Sequence, residues 1–128
     1  MNQNSQGLVG LRAGYGSEGR GEVITIPFVF KAGATMLVLN LDTGSGGEVR
    51  VEVQDASAPA GGGGGGGQPA FPGYTLYDSI PLTRNALAVK VAWAGDHARG
   101  TNVSAFAGVP IQLRFVMEDA WLFSFAFE

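Results

Sequence analysis

The chain has no cysteine and a single histidine, and these two shortages exclude several kinds of chemistry. Without cysteine there is no disulfide framework and no thiolate zinc site. His97 alone cannot build a histidine-based metal cluster, and we expect it to be an ordinary surface residue. We therefore predict no metal, no cofactor and no catalytic residue. Paired glycosidase carboxylates remain an alternative, because their spacing is set in space rather than in sequence.

Charge is scarce as well, with eight basic and eleven acidic residues and a net charge of -3. No basic cluster is present to neutralise phosphates, which argues against nucleic acid as a partner. No apolar run approaches the roughly 18 residues that a membrane-spanning helix needs. The polar start MNQNSQG lacks the features of a signal peptide, and a strand begins almost at once. We interpret the chain as a domain excised from a longer protein and leave its location open.

What the chain has in abundance is alternation of apolar and polar residues, which is typical of half-buried strands. The clearest case is Glu48 to Asp55, where three valines are predicted to point inward. Glu48, Arg50, Glu52 and Gln54 then lie on a solvated face. Other predicted strands are Gly7 to Ala13, Glu22 to Phe30, Thr35 to Asp42 and Leu87 to Trp93, while Tyr74 to Leu82 reads as a short strand and loop. In Glu22 to Phe30, Pro27 lacks an N–H and predicts an edge strand or a bulge, with Ile24, Ile26, Phe28 and Phe30 on one face.

The stretch from Pro110 to Phe127 reads as two antiparallel strands joined at a two-residue corner, Asp119-Ala120. In the second strand of this closing hairpin, the period of two places four aromatic residues on one buried face. These residues are Trp121, Phe123, Phe125 and Phe127. Earlier in the chain, Thr43 to Gly47 reads as a glycine turn.

Residues 56 to 73 form a Gly/Pro-rich link that includes seven consecutive glycines, Gly61 to Gly67. The flanking parts are too short to bury a sheet alone, so we interpret the link as a flexible hairpin-loop insertion within one domain, 1–128. A phosphate-binding loop would need a lysine after the glycines, and Gln68-Pro69 follows instead. Seven or eight short strands with Gly/Pro turns predict an all-β fold, an antiparallel two-sheet β-sandwich of jelly-roll type.

A candidate binding site lies on one short segment that contains Tyr74, Tyr77 and Asp78. Sugars present apolar C–H faces that stack on aromatic rings, while their hydroxyls hydrogen-bond to nearby polar groups. The alternative is that the tyrosines cover the open end of the sandwich.

Several segments run in order along nearly the whole chain and together resemble a known module. They are GLVGLRAGY, GEVITIPFVF, MLVLNLDTGSGGEVRVEVQD, PGYTLYDSIPL, VAW and NVSAFAGVPIQLRFVMEDAWLFSFAF. The chain resembles the C-terminal β-sandwich module of bacterial, often planctomycete, glycosyl hydrolase-like proteins, where it follows a β-propeller domain related to the family 32 and 43 glycosidases. The chain departs from that family at Tyr77-Asp78-Ser79, at Arg84-Asn85 and at the glycine run.

The resemblance implies an extracellular, non-catalytic accessory module whose partner is the neighbouring catalytic-like domain of a longer chain, with any catalysis in that domain. Such a module either docks on its neighbour or binds carbohydrate weakly. A different class of function is self-association as a homo-oligomer through an exposed sheet edge or apolar face. Glycan binding predicts exposed tyrosines beside polar groups, docking or assembly predicts an exposed apolar patch, and catalysis predicts two carboxylates facing each other across a cleft.

Overall fold

The computed structural model describes residues 6–13, 20–58, 68–83, 86–94 and 100–128. Within them the chain is all-β and antiparallel, as predicted. Its strands are β1 (Gln6–Ala13), β2 (Arg20–Ile24), β3 (Leu37–Asp55), β4 (Ala86–Lys90) and β5 (Ile111–Phe127). The segment from Tyr74 to Leu82, predicted as a strand and loop, consists of turns with isolated bridges. A short 3-10 turn covers Ser104–Phe106, and no described helix is long and apolar enough to cross a membrane.

The sheet is built around the two longest strands, β3 and β5, which pair from Leu37↔Phe127 to Asp55↔Ile111. On the far side of β5, β2 pairs with residues 114–118 and β1 with residues 120–126. On the far side of β3, β4 pairs near Val38 and Leu39. We call β2, residues 48–55 and residues 111–118 the β2 half, and β1, residues 37–43, β4 and residues 120–127 the β1 half.

The predicted closing hairpin at Asp119-Ala120 is wrong, because β5 runs without interruption from Ile111 to Phe127. The predicted turn at Thr43 to Gly47 is wrong as well, since these residues lie inside β3. The two sites face each other in the ladder: between its pairs with Ala120 and Glu118, β3 advances five residues while β5 advances two. Both turn signals therefore mark one bulged corner shared by two continuous strands.

Close backbone contact and a left-handed residue build this corner. A Cβ on Gly47 would lie 2.7 Å from the carbonyl oxygen of Glu118 and closer still to that of Asp119. Asp119 has a φ of 47°, in the left-handed region that aspartate tolerates better than most residues. Glycine at position 47 is thus required by space.

The strands bend at the corner, and the bend closes the core. The rings of Phe115 and Phe125 have centroids 5.6 Å apart, although ten residues of an unbent strand span about 33 Å. Phe28 contacts both Phe125 and Phe127, and Phe30 stacks on Phe127 at 4.1 Å. Residues of both halves belong to one apolar cluster, so the inner faces of the β2 half and the β1 half share a core.

The predicted common face of the four aromatic residues in β5 is wrong. Phe125 and Phe127 are buried, but Trp121 and Phe123 are 39% and 41% exposed. The cause is a register shift: Asn40 pairs with Ser124 and Leu41 with Leu122, which leaves one extra residue on β5. Such a bulge reverses the inward phase, so that Leu122 points inward before it and Phe125 after it.

The alternation of inward and outward side chains is also reversed at Pro27. Between the pairs Ile24↔Arg114 and Phe28↔Ile111 the β2 side has one extra residue, which confirms the predicted bulge. The predicted shared face of Ile24, Ile26, Phe28 and Phe30 is wrong, because Ile26 is 81% exposed while Phe30 is fully buried.

The residues that flank the glycine run lie side by side. Asp55 N–H donates to the carbonyl oxygen of Pro69 at 2.8 Å, and the Gln68 amide donates to the carbonyl oxygens of Asp55 and Ala58. The glycines themselves lie outside the described residues. The chain therefore leaves β3 and returns to its edge at the same place.

Buried positions in two of the predicted strands agree with the predicted pattern. Val49, Val51 and Val53 are fully buried, and Val91 and Trp93 after β4 are buried as well. The side chain of Leu87 is outside the described part of the chain. Thr35 to Asp42 was predicted as a central strand, and its residues from Leu37 onward lie in β3 between β5 and β4.

Candidate functional site

The structure separates the three residues of the predicted carbohydrate site. Tyr74 is only 6% exposed and packs edge-on against Trp93 and Phe106. Its hydroxyl donates to the carbonyl oxygen of Asn102 at 2.8 Å. Its ring belongs to the core and offers no free face to a sugar, so Tyr74 does not serve the predicted stacking role in this structure.

Tyr77 and Asp78 lie together on an exposed turn. The Tyr77 side chain is 95% exposed. Asp78 closes the turn, because its Oδ2 accepts from the Thr75 hydroxyl at 2.9 Å while its own N–H donates to Thr75 Oγ1. A sugar role for this pair stays a prediction, with one ring rather than two available to carry it.

The outer face of the β2 half carries a chain of buried hydrogen bonds. Gln112 Nε2 donates to Gln54 Oε1 at 2.8 Å, and Gln54 Nε2 donates to Glu52 Oε2 at 2.8 Å. Glu52 Oε1 accepts from the backbone N–H of Leu76 at 3.2 Å. All three side chains are buried, so the predicted solvated face is wrong for Glu52 and Gln54. Polar groups can be buried there because they satisfy one another.

Arginines neutralise the carboxylates on this face. Arg114 forms an ion pair with Glu22 through Nε, and its Nη1 lies 3.6 Å from Glu52 Oε2. Arg50 Nε donates to Glu48 Oε2 at 2.8 Å, and Arg50 Nη1 reaches the carbonyl oxygens of Leu76 and Ser79. These side chains hold the strands and the 75–79 turn together.

A groove of about 260 Å³ lies next to the corner on the same face. Its lining residues are Glu48, Arg50, Val116, Met117 and Glu118. Glu48 and Glu118 are direct partners in the β3–β5 ladder, so their carboxylates start from neighbouring positions on one sheet face. This differs from two carboxylates that face each other across a cleft, and Glu48 is also engaged by Arg50.

The outer face of the β1 half is built differently, from two exposed rings beside polar groups. The Trp121 and Phe123 rings are parallel to within 4°, with centroids 5.9 Å apart. Asp42, the ladder partner of Trp121, is exposed on the same side. Beside Phe123, Asn40 Nδ2 donates to Ser124 Oγ at 2.8 Å. Apolar ring surface and hydrogen-bonding groups thus meet on one open face of the sheet.

Sequence reasoning missed Trp121 and Phe123 as candidate site residues. Period-two alternation assigned both to the core, and only a bulge in β5 turns them outward. A signal was present in the pattern. The apolar residues Ala120 and Leu122 are buried at even positions, whereas Phe125 and Phe127 are buried at odd positions. Two conflicting phases in one strand indicate a bulge between them.

Comparison with protein-family models, with curated proteins and with solved structures finds no match to this chain. The resemblance to glycosyl hydrolase-associated modules therefore remains a prediction from the sequence. In the described residues no group of three or more histidine, cysteine, aspartate or glutamate side chains is arranged to hold a metal ion.

Proposed function

We propose that this chain is a non-catalytic accessory module of a carbohydrate-active protein, and that its own contribution is weak carbohydrate binding. Catalysis would then belong to a separate domain of a longer, extracellular chain. The observation that carries the proposal is the pair of exposed, parallel rings of Trp121 and Phe123 beside Asp42. A sugar can stack its apolar C–H face on such rings while its hydroxyls hydrogen-bond to the polar group beside them.

The surroundings of the carboxylates support a non-catalytic role. Glu22 and Glu52 are engaged by Arg114, and Glu48 is engaged by Arg50. A general acid or nucleophile must meet substrate, whereas these groups are occupied in holding strands together. These three carboxylates therefore fit a structural purpose.

We also propose that the bent sheet is a two-layer sandwich of jelly-roll type. Supporting features are the bulged corner in β3 and β5 and the contact of Phe115 with Phe125 across the bend. Long strands that pass from one layer to the other through a bulge are a known way to build the corner of such a sandwich.

A glycan-array screen of the purified chain tests the proposed function. We expect binding to a small set of carbohydrates, and circular dichroism establishes that the protein applied to the array is folded. A folded chain that binds no glycan on the array would remove carbohydrate binding from the proposal and leave docking on a neighbouring domain as the role of the module.

Self-association is a second candidate, and it is favoured by apolar side chains near the β2 edge. Ile26 is highly exposed, and Val29 is exposed nearby in the chain. Pro27 between them limits edge-to-edge strand pairing, because it has no N–H to donate. Sedimentation velocity over a range of concentrations would reveal a dimer, and a shift to monomer in Ile26→Lys would assign it to this edge.

A further inference from the structure

The rings of Trp121 and Phe123 offer a surface whose shape is set by the backbone. Both residues lie on the outer face of β5, between β1 and β3, which hold the strand on its two sides. The ring planes differ by only 4°. Because the bulge at Phe123 is fixed by pairing on both edges, the two rings are held by the sheet rather than by a loop, and little ordering is needed when a ligand binds.

The polar groups around the rings match a ligand that carries hydroxyls. Asp42, opposite Trp121, is an exposed acceptor, and Asn40 and Ser124 lie one ladder step further along the same face. Lys90, which pairs with Val38, is exposed one more step away and can donate. Trp121 has two charged ladder partners, Asp42 on β3 and Arg12 on β1. The positions beside this ring therefore carry equal and opposite charges, and Lys90 lies four residues further along the ladder. A neutral ligand is therefore favoured over an acidic one.

The size of the ring surface argues against a protein partner. Trp121 and Phe123 are 39% and 41% exposed, so with side chains of about 150–250 Å² each the pair offers roughly 120–200 Å². A standard protein interface needs about 800 Å² from each partner. Among the side chains whose exposure the structure describes, the other large apolar ones that are exposed follow β2 or lie on the 77–80 segment beside β3. The ring pair suits one or two sugar units better than a folded partner.

We infer that Trp121 and Phe123 form a stacking platform for a neutral glycan whose hydroxyls are equatorial, with Asp42 accepting hydrogen bonds from those hydroxyls. A pyranose of this kind presents an unbroken face of axial C–H bonds to an aromatic ring, while its hydroxyls point sideways to polar groups. The inference rests on the proposed carbohydrate binding and gives it a site and a ligand class. It moves the candidate site from Tyr74 and Tyr77, which lie on the turn segment beside β3, to the outer face of β5.

Isothermal titration of the full chain with cellohexaose, a neutral all-equatorial glycan, and with an oligogalacturonate, an acidic one, tests the inference. We expect measurable binding of cellohexaose only. Trp121→Ala should weaken it at least about tenfold, since one stacked ring contributes around the free energy that corresponds to a factor of ten. Phe123→Leu, which keeps apolar bulk without a ring, should weaken it as well, whereas Tyr77→Ala is the matched exposed-aromatic control and should bind normally.

Each of the other outcomes contradicts one part of the inference. If Tyr77→Ala loses binding while Trp121→Ala and Phe123→Leu retain it, the platform is wrong but carbohydrate binding stands. Stronger binding of the oligogalacturonate than of cellohexaose overturns the ligand class. If the chain binds neither oligosaccharide but binds another glycan on the array, the inferred ligand class is wrong and the proposed carbohydrate binding stands. If the chain binds no glycan on the array, the proposed carbohydrate binding is wrong and the inference is wrong with it. Circular dichroism should show that Trp121→Ala and Phe123→Leu fold like the native chain, so that a loss of binding reports the loss of a ring.

Discussion

In the β2 half, the side chains on the outer face of β3 and β5 hydrogen-bond to one another, whereas in the β1 half two rings on the outer face of β5 stay exposed to solvent. The same two strands run through both halves and share one core. The difference lies in what the outward residues do. Glutamine, glutamate and arginine in the β2 half satisfy each other, and a surface that is already satisfied has little to offer a ligand.

The contrast allows stability and the proposed binding to be tested separately within a single sheet. Within the β2 half, Arg114 ties β5 to β2, and Arg50 ties β3 to the 75–79 turn. In the β1 half, the exposed Trp121 and Phe123 rings contribute less to stability than buried rings such as Phe125 do. We expect substitutions in the β2 half to change mainly the free energy of unfolding, and substitutions of the exposed rings to change mainly binding.

The largest effect is expected where the two halves join. Gly47→Ala places a methyl group against the backbone carbonyl oxygens of Glu118 and Asp119, which cannot move without opening the ladder. We expect a loss of about 3 kcal/mol in the free energy of unfolding, measured by urea denaturation. Gly46→Ala is the matched control, because its methyl group would meet no atom within 4 Å, and it should change stability by less than about 1 kcal/mol. Equal effects of the two variants would mean that the corner is not tightly packed.

The buried hydrogen-bond chain should give the next largest effect. Gln54→Leu removes the acceptor of Gln112 Nε2 and a donor to Glu52, and leaves both groups buried. We expect it to cost about 2 kcal/mol in the free energy of unfolding. In a double-mutant cycle with Gln112→Leu, the two losses should add to more than the loss of the double variant. Strict additivity would show that the two amides do not interact.

Asp119 should respond to backbone preference. Its φ of 47° is costly for a β-branched residue, so Asp119→Val should lower the free energy of unfolding by about 1–2 kcal/mol. Asp119→Asn tolerates the left-handed region and should be nearly neutral in thermal unfolding. A neutral Asp119→Val would contradict the left-handed geometry of the corner.

The smallest effect is expected for the ion pair between Arg114 and Glu22. Glu22 lies on the exposed side of the sheet, so Glu22→Gln should cost less than about 1 kcal/mol, and added salt should reduce the difference from the native chain. Urea denaturation at low and high salt measures this change. A large loss that is independent of salt would mean that the pair is a continuation of the buried Glu52–Gln54 chain.

Local alternation predicted the all-β class and many of the inward residues. Side chains alternate between the two faces of a strand, so the shared inward direction of Val49, Val51 and Val53 follows from their spacing alone. It did not predict that two turn signals far apart in sequence lie opposite each other. Gly47 and Asp119 are each typical of a turn, and only their contact across the ladder converts two turns into one corner. Tertiary pairing of this kind leaves no local signature.

The candidate site was harder to predict than the fold. Tyr74 and Tyr77 are close in sequence and chemically alike, yet one packs beside Trp93 and the other is almost fully exposed. Trp121 and Phe123 show the reverse error, since one extra residue in β5 reverses the direction of both rings. A bulge reverses the inward or outward direction assigned to every side chain on one side of it. Wrong predictions of which aromatic residues are exposed therefore occur beside bulges.

The long β3–β5 ladder also has a kinetic consequence. Each of its pairs, from Leu37 with Phe127 to Asp55 with Ile111, joins residues that are far apart in the chain. Much of the chain must therefore be brought together before the central ladder can begin to form, and loop-closure entropy opposes that step. We expect refolding after dilution from urea to take about milliseconds to seconds, as for other sheets with few local contacts, with β3 and β5 gaining protection from hydrogen exchange together.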